Sequence, residues 1–136
     1  MSAHFPEQHR SLVDLAETIL AVANDAGPGA AARLTQSRLA LSREITEHCG
    51  SELSVLNARP IAKDAATTEL VRRYHDDLLR WRHDLIACNS DWPPKRVFGD
   101  PAGFRRAFEP ITERLRQRVR WEEEVFYPAV LYARAA

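Results

Sequence analysis

The sequence predicts an all-α protein, an antiparallel up-down four-helix bundle, and three observations support this. Apolar residues recur at helical spacing in four long segments. No segment has the strict apolar-polar alternation typical of a half-buried strand. Mostly short links join the four segments, which favours antiparallel neighbours. With 136 residues, the chain is predicted to form a single domain over residues 1–136.

The first two helices are bounded by recognisable start and stop signals. The first is predicted from about Pro6 to Asn24, because proline suits a first helical turn and Gly27-Pro28-Gly29 stops the helix. The second is predicted from about Ala30 to Leu56, before Asn57-Ala-Arg-Pro60. Within it, Gly50 is either a weak point or a position where another backbone approaches closely.

The third helix is predicted to begin at Asp64, a suitable N-cap, and to end near Cys88. Its expected inward stripe contains Val71, His75, Leu78 and Leu85. The stretch from Ser90 to Asp100 is predicted to be irregular, since paired prolines cannot continue a helix. Its larger apolar residues are expected to pack against the bundle: Trp92, Val97 and Phe98.

The fourth helix has two candidate starting points. Asp100-Pro101 is a strong start signal, an N-cap followed by proline at the first helical position. Pro110 is expected to break or kink a helix that starts there. The helix proper is therefore predicted from Pro110 to about Ala133, with Pro128 bending its last turns.

Composition excludes several classes of function. The 19 basic and 19 acidic side chains give no net charge to attract nucleic acid or an anionic membrane. No run approaches the ~20 apolar residues of a membrane span, and the N-terminus lacks the features of a secretory signal. Cys49 and Cys88 form no CxxC pair. We therefore expect a cytoplasmic protein of bacterial type without nucleic-acid or membrane partners.

Ionisable residues occupy the apolar faces of two predicted helices. His48 and Glu52 are four residues apart, as are Arg118 and Glu122, so each pair lies on one helical face. The first face otherwise carries leucine, isoleucine and valine, and the second carries isoleucine, leucine and phenylalanine. Ionisable groups at core positions cost free energy unless they bind a metal or each other.

The predicted helices bring further ionisable residues to the same depth. His9 lies near the start of the first helix and Glu52 near the end of the second, and His75 and Glu122 have similar depths in the other two. Neutral imidazole and carboxylate together suit iron, manganese or zinc. The predicted metal ligands are His9, His48, Glu52, His75 and Glu122.

These motifs resemble the hemerythrin-like (HHE cation-binding) domain over nearly the whole chain. The matching segments are His9-Arg-Ser-Leu12, His48-xxx-Glu52, His75-Asp-Asp-Leu78 and Arg118-xxx-Glu122-Glu123-xx-Phe126-Tyr127-Pro128. The resemblance implies a hemerythrin-like four-helix bundle with a non-haem iron centre, often dinuclear. It also implies binding of a diatomic gas or sensing of oxygen, nitric oxide or iron.

Two departures from the family pattern leave three states of the site open. Arg118 replaces a ligand histidine, and a guanidinium cannot ligate a metal. Leu53 follows Glu52, where the pattern has a second carboxylate. In the first state the site binds a single ion. In the second it binds no metal and its side chains form a buried Arg-Glu-His network. In the third it is a complete di-iron centre with His83 as a further ligand.

The function predicted from the sequence is a metal-binding or sensor module. The alternative is a structural or interaction protein that has kept the bundle and lost the metal. Enzymatic activity is less favoured, because the sequence offers no separate acid-base pair for a catalytic mechanism.

Overall fold

The computed structural model describes residues 4–25, 27–58 and 60–132. These residues form helices and the links between them, and none of them is in a β-strand. The α-helices are α1 (Phe5–Ala23), α2 (Ala30–Ala58), α3 (Ala65–Asp91), α4 (Pro94–Gly99) and α5 (Pro101–Trp121), followed by a π-helix (Glu122–Leu131). The predicted all-α fold is confirmed. Within the described residues, every helix is too short or too polar to cross a bilayer.

Local capping explains where α3 and α5 begin. The Asp64 carboxylate accepts a hydrogen bond of 2.8 Å from the backbone N–H of Thr67. The Asp100 carboxylate accepts one of 3.0 Å from Gly103, with Pro101 at the first helical position. Both caps satisfy amide groups that have no partner within the helix. The predicted start signals at Asp64 and Asp100 are therefore confirmed.

The segment between α3 and α5 is more regular than predicted. The prediction of an irregular stretch from Ser90 to Asp100 is wrong, because α3 continues to Asp91 and Pro94–Gly99 forms the short helix α4. Proline cannot extend a helix, yet its fixed φ suits a first turn, so Pro94 begins α4 instead of preventing it. Trp92 and Val97 are buried, which confirms that this segment packs into the core.

The last helix also differs from the prediction. Helix α5 runs without a break through Pro110, which is exposed, so the helix begins at Pro101. After Trp121 the backbone changes to a π-helix with Pro128 inside it. The predicted end near Ala133 lies outside the described residues.

The helices enclose two apolar clusters in a bundle-like fold. Helix α1 packs mainly on α2 and α5, and α3 packs on α5 and the π-helix. The larger cluster includes Leu12, Ile45 and Leu115, and the smaller includes Phe5 and Phe126. Buried polar residues separate the larger apolar cluster from the smaller one along α1, α2 and the segment formed by α5 and the π-helix.

Two glycines provide a matched test of this packing. A methyl group at exposed Gly50 would have no neighbour within 4 Å, so Gly50→Ala should stabilise the helix by about 1 kcal/mol. A methyl group at Gly103 would lie 2.8 Å from Trp92 Cη2 and would also overlap the Asp100 carboxylate. Gly103→Ala should therefore destabilise the protein by about 1–3 kcal/mol.

Urea unfolding of both variants measures the difference. A Gly103→Ala protein at least as stable as wild type would show that α5 does not pack on Trp92 as described.

Candidate metal centre

Four ionisable side chains from three helices meet in the core. His9 comes from α1, His48 and Glu52 are one turn apart in α2, and Glu122 begins the π-helix. Each residue is at most 5 % exposed. One ligand atom from each lies within 4.8 Å of all the others.

The closest atoms of this group are the two imidazole Nε2 atoms and one oxygen of each carboxylate. His9 Nε2 lies 3.0 Å from His48 Nε2 and 2.9 Å from Glu122 Oε1. His48 Nε2 lies 3.2 Å from Glu52 Oε1 and 3.5 Å from Glu122 Oε1. These four residues are called the His-Glu cluster below.

Both imidazoles are oriented by partners on their other ring nitrogen. His48 Nδ1 donates to the amide oxygen of Gln8 over 2.5 Å, and His9 Nδ1 donates to Glu123 Oε2 over 2.7 Å. A neutral imidazole that donates through Nδ1 carries a lone pair on Nε2. Two such lone pairs 3.0 Å apart repel each other unless a proton or a cation lies between them.

The spacing of the cluster fits a single transition-metal ion. Two donors that bind one ion at about 2.1 Å are about 3.0 Å apart at a right angle and about 3.4 Å apart at the tetrahedral angle. The four separations given above, 2.9 to 3.5 Å, cover this range, and the complete set of donors lies within 4.8 Å. The partners of the Nδ1 atoms are also of the kind that orients metal-binding histidines.

Two tyrosines contact the carboxylates of the cluster. Tyr74 Oη donates to Glu52 Oε1 over 2.8 Å. Tyr127 Oη lies 2.5 Å from Glu52 Oε2, 2.8 Å from Glu122 Oε1 and 3.0 Å from His9 Nε2. The π-helix explains the last arrangement, because its i→i+5 pattern brings Tyr127 to the same side as Glu122.

Arg118 forms the wall of the cluster toward α3. Its side chain is 9 % exposed, and its Nε lies 2.7 Å from Glu122 Oε2. This contact is an ion pair without good hydrogen-bond alignment, since Nε has no aligned acceptor. Arg118 Nη2 donates to the backbone carbonyl of Tyr74 over 3.0 Å, and the guanidinium lies 4.8 Å from the centre of the Tyr74 ring.

Burial and mutual contact shift the pKa values of the cluster in different directions. Burial opposes the charged form of His48, but hydrogen bonds and charge from Glu122 and Glu52 outweigh it and raise the pKa of His48 to about 9. Burial raises the pKa of Glu52, although the hydrogen bond to His48 acts against it. For Glu122, burial is outweighed by hydrogen bonds from His48 and His9, which hold its pKa well below the usual range.

Little free space adjoins these residues. The cavity at the cluster is about 20 Å³ and is lined mostly by apolar side chains, including Leu12, Ile45 and Leu115. This is enough for one water-sized molecule. Burial raises the pKa of the neighbouring Cys49 thiol to about 11, so that side chain remains neutral. An organic substrate would not fit in this cavity.

The structure brings together four of the five predicted ligands and leaves His75 outside. His75 is exposed, and the buried residues of α3 are Thr67, Tyr74, Trp81, Leu85 and Cys88. The face of α3 that points into the core therefore contains Tyr74, and the predicted stripe, which contained His75, was displaced from it by about one residue. Trp81 is buried with its Nε1 donating to the Ile111 carbonyl, an arrangement that turns His75 outward. His83 is exposed as well.

Four residues around the cluster lie outside the predicted ligand set, although two of them, Glu123 and Tyr127, belong to the motif that resembles the hemerythrin-like pattern: Gln8, Tyr74, Glu123 and Tyr127. Tyr74 could have been found, because it is seven residues from both Thr67 and Trp81 and thus shares their face. The position of Tyr127 depends on the π-helix, which the α-helical period does not predict, whereas Glu123 directly follows Glu122. No sequence pattern distinguishes Gln8.

Comparisons with protein-family models, with curated proteins and with solved structures find no match for this chain.

Removal of the Arg118 charge should destabilise the metal-free protein. Arg118→Leu would leave Glu122 in the core without its guanidinium partner, at a cost of about 3–5 kcal/mol. The control is Arg120→Leu, which removes the same charge from an exposed position on the same helix. Urea unfolding after chelation measures both, and equal small effects would show that Arg118 does not stabilise Glu122.

The raised pKa of His48 predicts how the stability of the metal-free protein depends on pH. A group with a higher pKa in the folded state stabilises that state below its unfolded pKa of 6.5, and the stabilisation is lost as pH rises through about 9. The contribution is about 3 kcal/mol at most.

A His48→Gln variant isolates this contribution. It should be less stable than wild type at pH 6, and the difference should shrink toward pH 9.5 in denaturant titrations. His75→Gln, at an exposed position, should follow wild type throughout. A difference between wild type and His48→Gln that does not change with pH would mean that His48 is not charged in the folded protein.

Proposed function

We propose that this protein binds one divalent transition-metal ion, such as iron or zinc, in the His-Glu cluster. The observation that carries the proposal is the convergence of two imidazole nitrogens and two carboxylate oxygens within 4.8 Å, all buried. Buried carboxylates and facing imidazole lone pairs need a positive charge between them. A mixed set of nitrogen and oxygen donors suits iron, manganese and zinc.

Each part of the chain has a separate role in this proposal. His9, His48, Glu52 and Glu122 would hold the ion, which when bound supplies a Lewis-acidic centre able to take one small additional ligand. Gln8 and Glu123 fix both imidazoles in the tautomer that presents Nε2. Tyr74 and Tyr127 orient the carboxylate of Glu52. The apolar cavity excludes molecules much larger than water.

The donor set supports a mononuclear site better than a dinuclear one. Within the described residues, the potential ligands form one group of four. The third helix contributes the phenol of Tyr74 instead of an imidazole, and Arg118 adds a fixed positive charge beside Glu122. A second cation on that side would be repelled by Arg118.

We further propose that the helices form the antiparallel four-helix bundle of a hemerythrin-like domain. This rests on the resemblance of the motifs, and the α1–α2 contacts agree with it. Gln8 pairs with His48 and Ser11 with Glu44, so residue numbers rise in α1 as they fall in α2. Sensing of oxygen, nitric oxide or iron follows from the same resemblance. A cytoplasmic location is compatible with two buried free thiols, Cys49 and Cys88.

A metal-free structural role is the second candidate, and one observation favours it. A protonated His48 together with Arg118 supplies two positive charges beside Glu52 and Glu122. The four groups would then form a neutral network without an ion. This network is the alternative that a metal-binding experiment must exclude.

Metal binding is tested by titrating tag-free, chelator-treated protein with Zn²⁺ or Fe²⁺ in a calorimeter, with elemental analysis of the product. We expect about one ion per chain. His48→Ala should weaken binding by more than roughly 100-fold, since loss of an orienting partner alone costs 10- to 100-fold. His75→Ala and His83→Ala, which remove exposed imidazoles from α3, should bind as wild type does.

Two results would reject the proposal. One is the absence of bound metal together with a melting temperature that chelation leaves unchanged, which would favour the metal-free network. The other is metal binding that His75→Ala abolishes and His48→Ala does not, because the ion would then be bound at the surface.

A further inference from the structure

A second feature of the fold is a basic cleft between α3 and α5. Its volume is about 310 Å³, larger than the cavity at the His-Glu cluster. Four arginines and two aspartates line it: Arg73, Arg80, Arg114, Arg118, Asp77 and Asp84. Two arginine–aspartate pairs cross or border it, Arg114–Asp84 at 2.8 Å and Arg73–Asp77 at 3.4 Å. Arginine is therefore in excess along its walls.

Two of these arginines have donors without a protein acceptor. Arg80 is exposed and forms no ion pair within the described residues. Arg118 uses Nε toward Glu122 and Nη2 toward the Tyr74 carbonyl, which leaves Nη1 without an acceptor in the part of the chain that the structure describes. The Arg118 side chain is nine-tenths buried, and its fully buried donor without an aligned acceptor is Nε. Nη1 keeps contact with solvent and can therefore donate to a molecule bound in the cleft.

We infer that this cleft binds a small oxyanion, such as inorganic phosphate or the carboxylate of a small acid. Arg118 lies at its inner side and Arg80 at its outer side. Guanidinium groups bind such anions through paired N–H donors and remain charged at any physiological pH. The cleft is open to solvent on the protein surface, whereas the cavity at the cluster has room only for a water-sized molecule. The anion would therefore bind beside the cluster, not in it.

Arg118 connects the two sites, because it lines both the cleft and the cavity at the cluster. An anion that attracts its guanidinium weakens the contact with Glu122 Oε2 and leaves that carboxylate freer to bind a cation. Anion binding should then strengthen metal binding, and the metal should strengthen anion binding by the same factor. This coupling rests on the proposed metal-binding function, while the anion site itself does not.

The anion site is tested with sulfate as the probe. Metal-free protein is titrated with sodium sulfate at constant ionic strength, and the fluorescence of Trp81 and Trp121, which line the cleft, is followed. We expect a saturable change that chloride does not produce. Arg80→Gln should weaken sulfate binding by roughly fivefold, the upper range for an exposed charge pair. The control is Arg72→Gln, which removes an exposed arginine outside the cleft on the same helix.

Coupling is tested by measuring the Kd of Zn²⁺ with and without saturating sulfate. We expect zinc to bind roughly fivefold more tightly with sulfate, and this gain should shrink in Arg80→Gln. No saturable sulfate signal in wild type, or equal weakening by Arg72→Gln, would overturn the anion site. Sulfate binding that leaves the zinc Kd unchanged would overturn the coupling. Absence of zinc binding with sulfate binding intact would reject the proposed metal site and the coupling, and would leave the anion site standing.

Discussion

Two carboxylates buried in one core set the requirement that the rest of this structure meets. Glu52 and Glu122 are 1 % and 3 % exposed, and removal of each charge from water costs several kcal/mol. Tyr74 and Tyr127 donate protons to Glu52, and Arg118 places a positive charge beside Glu122. The Nε2 atoms of His9 and His48 lie within 3.2 Å of one or the other carboxylate. Because these groups come from α1, α2, α3, α5 and the π-helix, the polar cluster also fixes how the two apolar clusters on either side of it align.

A proton and a metal ion would occupy the same part of this cluster. The pKa of His48 is about 9 in the metal-free protein, so a metal that binds its Nε2 near neutral pH has to displace a proton. The same rise in pH that weakens the metal-free network would therefore favour the ion. Arg118 carries its charge in either state. The protein thus has a way to keep Glu122 compensated with or without a metal, which explains how both candidate functions arise from one geometry.

The sequence predicted what depends on the α-helical period and missed what depends on tertiary packing or on a different period. The positions four residues apart, His48 with Glu52 and Arg118 with Glu122, are adjacent in the structure, because the spacing alone determines them. On α3, the predicted stripe that contains His75 and the observed buried face that contains Tyr74 overlap and are similarly apolar. The Trp81 hydrogen bond to α5 is what distinguishes them, and no local pattern contains it. The π-helix moves Tyr127 into the cluster by changing the period to five.

Arg118, at the position where the hemerythrin-like pattern has histidine, and the inward-facing Tyr74 belong to one arrangement. The Arg118 guanidinium lies over the Tyr74 ring at 4.8 Å and donates to its backbone carbonyl, so an inward imidazole on α3 would remove the stacking surface that holds the arginine. The side of the cluster toward α3 and α5 consequently carries a fixed cation and a phenol donor, and both imidazoles lie on α1 and α2. A positive ion near the imidazoles and a negative ion on the outer side of Arg118 would each lie where the local charge favours it.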